Sequence, residues 1–80
     1  MNTRECVAQR LIELCNEKHL ALNGLANLSA VPPSTLKSII NGDSANPGIV
    51  TIKKLCDGME IDLPTFFNTV AFSTLEQEIK

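Results

Sequence analysis

The sequence predicts an all-α domain of five or six short helices, and three observations predict it. Apolar residues recur three and four positions apart instead of alternating, as they do along a helix face. Turn formers gather at the joints, most densely in GDSANPG from Gly42 to Gly48. Helix signals sit beside those joints: Pro32-Pro33 at a start, Gly42 at a stop, Asp62 two residues before Pro64. At 80 residues, with 44% apolar and 20% charged, the chain forms one domain near the lower limit of core size, without the composition of disorder.

The first helix is expected over about Arg4 to Lys18. Val7, Leu11 and Leu14 form its stripe, widened by Ala8, Ile12 and Cys15. Glu13 and Glu17 lie opposite, placed to pair with Arg10 and Lys18. Asn23-Gly24 resembles a hairpin turn, but its flanks do not alternate, so a second helix from about Leu22 to Leu28 is preferred. Gly24 weakens that helix by about 1 kcal/mol relative to Ala. A four-residue turn beginning at Ser29 and Ala30 leads to a third helix opened by Pro33 and ending at Asn41.

A fourth helix is expected from Ile49 to Gly58, burying Ile52, Leu55 and Cys56 and exposing Lys53 and Lys54. Asp62 caps a short fifth helix carrying Phe66 and Phe67. Ser73-Thr-Leu-Glu76 has the pattern of a capping box for a last helix to about Ile79. No internal repeat or low-complexity run interrupts the series.

Composition removes several functions. All three aromatics are Phe, with no Trp or Tyr, too few for a platform that stacks single-stranded bases. No run approaches the roughly eighteen apolar residues of a membrane span, and MNTREC lacks a secretory pattern, so a soluble cytoplasmic protein is expected. Cys6, Cys15 and Cys56 are odd in number and show no ligand spacing; they read as small core hydrophobes. His19, the only histidine, has no catalytic partner near it in sequence. The expectation is a non-enzyme with no metal, cofactor or small-molecule ligand.

A net charge of −2 opposes a nucleic-acid role until its distribution is read. Arg4 and Arg10 against Glu5, Glu13 and Glu17 leave −1 over residues 1–17. Lys18, Lys37, Lys53 and Lys54 against Asp43 alone give +3 over residues 18–54. Asp57, Glu60, Asp62, Glu76 and Glu78 against Lys80 give −4 over residues 55–80. Charges further apart than about 8–10 Å are largely screened, so the basic middle can attract phosphate despite the acidic total. Ser34, Thr35, Lys37, Ser38 and Asn41 give the third helix a small, polar, acid-free face suited to a DNA groove.

From about Val7 to Phe67 the chain resembles the Cro/repressor-type helix-turn-helix family, the XRE family of transcriptional regulators. The residues that carry the resemblance are Val7 and Leu11, Leu25-Ala26, Val31, Ser34-Thr35-Leu36 with Ile39 and Gly42, then Asn46-Pro47 before Ile49 and Ile52, and Ile61-Asp62-Leu63 before Phe66-Phe67. The resemblance implies a five-helix, lambda-repressor-like DNA-binding domain over residues 1–68. Residues 69–80 would be an extension holding the short extra helix. It implies a sequence-specific regulator of double-stranded DNA, a repressor, with base contacts from Pro33, Ser34, Thr35, Lys37 and Ser38. Phosphates would be held by Asn41, by the backbone at Gly48 and Ile49, and by Lys53.

Three departures stand out. Where the family often has Gln at the starts of helices two and three, this chain has Leu22 and Pro33. Its turn glycine is Ala30 here. An Arg–Glu pair that many members bury is replaced by Cys15 and Ile40, expected to lie close in the core.

One reading helix covers only a few base pairs, so a homodimer on a near-palindromic operator is expected, with half-sites about 34 Å apart. Phe67 and Phe72 are the candidate dimer contacts, among C-terminal apolar residues that exceed what a five-helix core needs. The alternative is a protein-interaction module on the same scaffold, antitoxin-like or an adaptor, with little DNA affinity of its own.

Overall fold

Asn2 starts helix α1 (Thr3–Glu17) with a capping box: its side chain accepts the Glu5 N–H at 2.8 Å, and the Glu5 carboxylate accepts the Asn2 N–H. The computed structural model describes residues 1–43 and 46–79, and α1 is the first of six helices, with no strand among the described residues. The others are α2 (Leu22–Ser29), α3 (Pro33–Asn41), α4 (Ile49–Gly58), α5 (Leu63–Phe67) and α6 (Val70–Ser73). The all-α expectation is met, with α3, α4 and α5 at the expected places. Of the turn-rich loop from Gly42 to Gly48, Ser44 and Ala45 lie outside the described residues.

α2 packs on α3 and α4, α1 on α3, α5 on α4, and α6 on α1. Their shared core holds Val7, Leu11, Leu14, Cys15, Leu25, Ala26, Val31, Leu36, Ile39, Ile52, Leu55, Cys56, Met59 and Phe66. The Cα radius of gyration is 12.0 Å, against about 11.6 Å for a typical folded chain of this length.

The four longer helices stop by one device. Each is followed by a residue at positive φ: His19 at 55°, Ala30 at 54°, Gly42 at 80° and Glu60 at 59°. The next N–H then reaches back five residues: Leu20 to the Cys15 carbonyl at 2.9 Å, Val31 to Ala26 at 3.1 Å, Asp43 to Ser38 at 2.9 Å, and Ile61 to Cys56 at 3.0 Å. Leu20, Val31 and Ile61 carry an apolar side chain against the core, pinning the exit of the chain. After α3 the equivalent residue is Asp43, which is exposed, so that end is left polar and open to solvent.

At the α2–α4 contact, a Cβ on Gly58 would sit 2.0 Å from Ser29 Oγ and 3.2 Å from the Ser29 backbone nitrogen. Gly58 therefore sets how closely the two helix ends approach. Ser29 is 5% exposed, and its hydroxyl has no hydrogen-bond partner among the described residues.

Arg10 does more than the surface pairing expected of it. It pairs with Glu13, and it also reaches across to α5, donating to the Phe66 carbonyl at 2.7 Å and the Thr65 carbonyl at 2.9 Å. The Thr65 carbonyl also accepts the Asn68 N–H at 3.3 Å, so Arg10 joins the backbone in closing the end of α5. At the other end, Asp62 accepts the Thr65 N–H at 2.9 Å, and Thr65 holds that carboxyl below its usual range. A five-residue helix is thus held at both ends. Phe66, Phe67 and Phe72 stack edge-on or tilted, with ring centroids 5.0 to 6.0 Å apart.

Four expectations need correction. The capping box at Ser73 does not start a helix: α6 ends there, and residues 75–79 are not helical. That segment offers only Leu75 and Ile79 as an apolar face, and Ile79 is 86% exposed, so burial does not offset the cost of nucleation. Ile12 is 42% exposed and lies outside the buried stripe, which continues through Cys6 instead. Ser29 belongs to α2, so the turn is the three residues from Ala30 to Pro32. Lys18 forms no ion pair among the described residues.

Candidate nucleic-acid interface

Leu36 and Ile39 turn inward from α3 and anchor it on α1 and α2, and that anchoring decides what faces out. Pro33, Ser34, Thr35, Lys37 and Asn41 are exposed, and Ser38 is half-buried. No acid occurs in the helix, and Lys37 has no ion-pair partner among the described residues. The face therefore offers hydroxyls, an amide, one free ammonium and the apolar edge of Pro33.

Leu22 and Asn23 share a groove with Pro33, Ser34 and Lys37. The starts of α2 and α3 are thereby brought together, including both positions where the resembled family often has Gln. Asn23 was not singled out from sequence, although its place in the first turn of an exposed helix is the signal that marks it.

Side-chain capping divides the helices into two groups. α1 and α5 are capped by Asn2 and Asp62, whereas α2, α3 and α4 begin at Ala21, Pro32 and Gly48 with no side-chain cap and no acid in the first turn. Unpaired N–H groups there, at the positive end of each helix dipole, are free to meet an anion. Gly48 and Ile49, expected to hold phosphate through their backbone, are exposed at the start of α4.

Lys53 is exposed but pairs with Asp57, one turn later on α4. That contact raises the lysine pKa, so it stays charged, and part of its field is cancelled locally. Lys54 is exposed with no ion pair among the described residues. Arg4 had no sequence signal, yet it lines one groove with Asn41 and Gly42 and a second with Asn46 and Pro47.

The proposed dimer contacts come from α5 and α6, and one of them, Phe67, also lines the groove that holds Arg4, Asn46 and Pro47. Phe67 and Phe72 are half-buried and stacked on each other, while Val70 beside them is 78% exposed. Cys15 is core, and Ile40 is half-buried against the same core, in a groove with Ala8 and Ile12. Burial pushes the thiols of Cys6, Cys15 and Cys56 up, which leaves little thiolate. No cluster of metal-ligating residues occurs among the described residues, and no helix is long and apolar enough to cross a membrane.

A small all-α domain that turns an acid-free, lightly basic helix face outward is the class these features define. The chain is similar over 94% of its length to prophage Lp1 protein 11, of which it covers 100%, with 32% identity and a TM-score of 0.82. At that identity and coverage it belongs to the same family as this prophage protein. No protein-family model matches the chain, and the comparison with curated proteins returned no match.

Proposed function

We propose that the chain is a sequence-specific double-stranded DNA-binding transcriptional regulator of the Cro/repressor type, acting as a repressor. α3 enters the major groove. The observation that carries this reading is the outward face of α3, where Pro33, Ser34, Thr35 and Lys37 stand exposed without an acid. Ser34 and Ser38 hydroxyls donate to or accept from base edges, Lys37 reaches a guanine edge or a phosphate, and Pro33 or Thr35 meets a thymine methyl. Asn41 and the backbone at Gly48 and Ile49 hold phosphates, with Lys53 and Lys54 adding attraction from α4. Likeness to a prophage protein supports a switch of the phage type.

Binding to random-sequence duplex DNA, followed across salt concentrations, tests the reading. Affinity falls steeply with salt, and Lys37→Ala both weakens it and reduces the log–log slope by about 1. A second reading, a protein-interaction module, draws on the exposed apolar residues Leu28, Ile49 and Val50, which are 63%, 58% and 66% exposed. No DNA binding at any salt selects that second reading.

A further inference from the structure

Arg4 lies between two of the segments assigned above to phosphate. It shares one groove with Asn41 and Gly42 at the end of α3, and another with Asn46 and Pro47 just before Gly48. Arg4 is half-buried, and its guanidinium has no hydrogen-bond or ion-pair partner among the described residues. An arginine whose guanidinium has no bonded counter-ion is free to take an arriving anion through two parallel N–H groups.

The C-terminal segment runs to the same place. Thr3 donates its hydroxyl to the Glu78 carboxylate at 2.8 Å, and the Glu76 carboxylate lies 3.9 Å from the N-terminal ammonium. Glu78 also lines the groove that contains Arg4. The residues that fail to form a final helix are thus tethered across the start of α1, and they bring two acids to the edge of the basic surface.

We infer that Arg4 is a phosphate-binding residue of the DNA interface and that the acidic C-terminal segment, which lines the same groove without pairing with Arg4, opposes phosphate there. The inference rests on the DNA-binding reading above. Glu78, held by Thr3, lowers the potential of the groove it shares with Arg4, and a backbone phosphate arriving at Arg4 meets that negative charge. The segment acts as a brake on non-specific binding, where phosphate attraction supplies nearly all the affinity.

The test is duplex binding across salt for the whole chain and six variants. Arg4→Gln lowers affinity and flattens the slope by about 0.9 of a counterion, while Arg4→Lys keeps the slope. Glu78→Gln, which still offers Thr3 an acceptor, tightens binding by about threefold, the worth of one screened unit charge at close range. Glu17→Gln removes the same charge from the far end of α1, about 20 Å away, and gives a smaller gain. In the Arg4→Gln/Glu78→Gln double variant the extra gain disappears. Equal gains from Glu78→Gln and Glu17→Gln, or an unchanged slope in Arg4→Gln, overturn the inference. If Lys37→Ala weakens binding while Arg4→Gln does not, only this inference falls; if no variant binds DNA, the functional reading falls with it.

Discussion

Ala30 holds φ at 54°, where a side chain costs about 1 kcal/mol. Ala30→Gly is therefore expected to raise the free energy of unfolding by about 1 kcal/mol in a urea titration, without changing the turn. Ser29 and Gly58 show the opposite tension. Gly58→Ala drives a methyl into Ser29 and is expected to destabilise by about 1–3 kcal/mol. Ser29→Ala removes a buried hydroxyl that has no partner among the described residues and is expected to be neutral or to stabilise by up to about 1 kcal/mol. Cys15 is 4% exposed in the core; Cys15→Arg buries a charge there with no built-in counter-ion, and a loss of about 3–5 kcal/mol is expected. Wild-type-like melting of that variant contradicts the expectation that Cys15 sits in an apolar core site.

Among the elements, α5 depends most on others, because five residues cannot sustain a helix alone. Arg10→Ala strips two carbonyl contacts from its end and is expected to cost about 2–3 kcal/mol in thermal or urea unfolding. Arg10→Lys recovers only part of this, since an ammonium cannot span both carbonyls as the guanidinium fork does. What the sequence made legible follows the same division. α3, α4 and α5 could be placed because proline, glycine and Asp62 mark their ends chemically. Arg10 was legible only as far as Glu13, three residues away, because the carbonyls it serves lie more than fifty residues on. The capping-box pattern at Ser73 misled, since a start signal forms no helix without an apolar face to bury. Within the candidate interface, the exposure of the α3 face was readable from its periodicity, whereas Arg4 lies beside Asn41 and Asn46 only through tertiary packing.

At the scale of the molecule, the two candidate contact surfaces come from different helices but meet at Phe67, which shares a groove with Arg4, Asn46 and Pro47. The lightly basic, uncapped helix starts of α2, α3 and α4 stand against an aromatic stack at α5 and α6. Dimerisation through that stack is expected to give twice the chain mass in sedimentation at tens of micromolar. Phe67→Glu halves the mass, and so does Val70→Glu, which leaves the rings in place and so separates lost dimer from lost fold. A monomeric wild-type chain, with a mass unchanged by either variant, rejects this interface.

Selection of bound duplexes from a random pool tests the central claim most directly. A sequence-reading dimer recovers a near-palindrome whose half-sites lie one helical turn, about 34 Å, apart, and Ser34→Ala or Lys37→Ala relaxes the preference at particular positions within each half. A bound pool with no enriched sequence, or no bound pool at all, contradicts it.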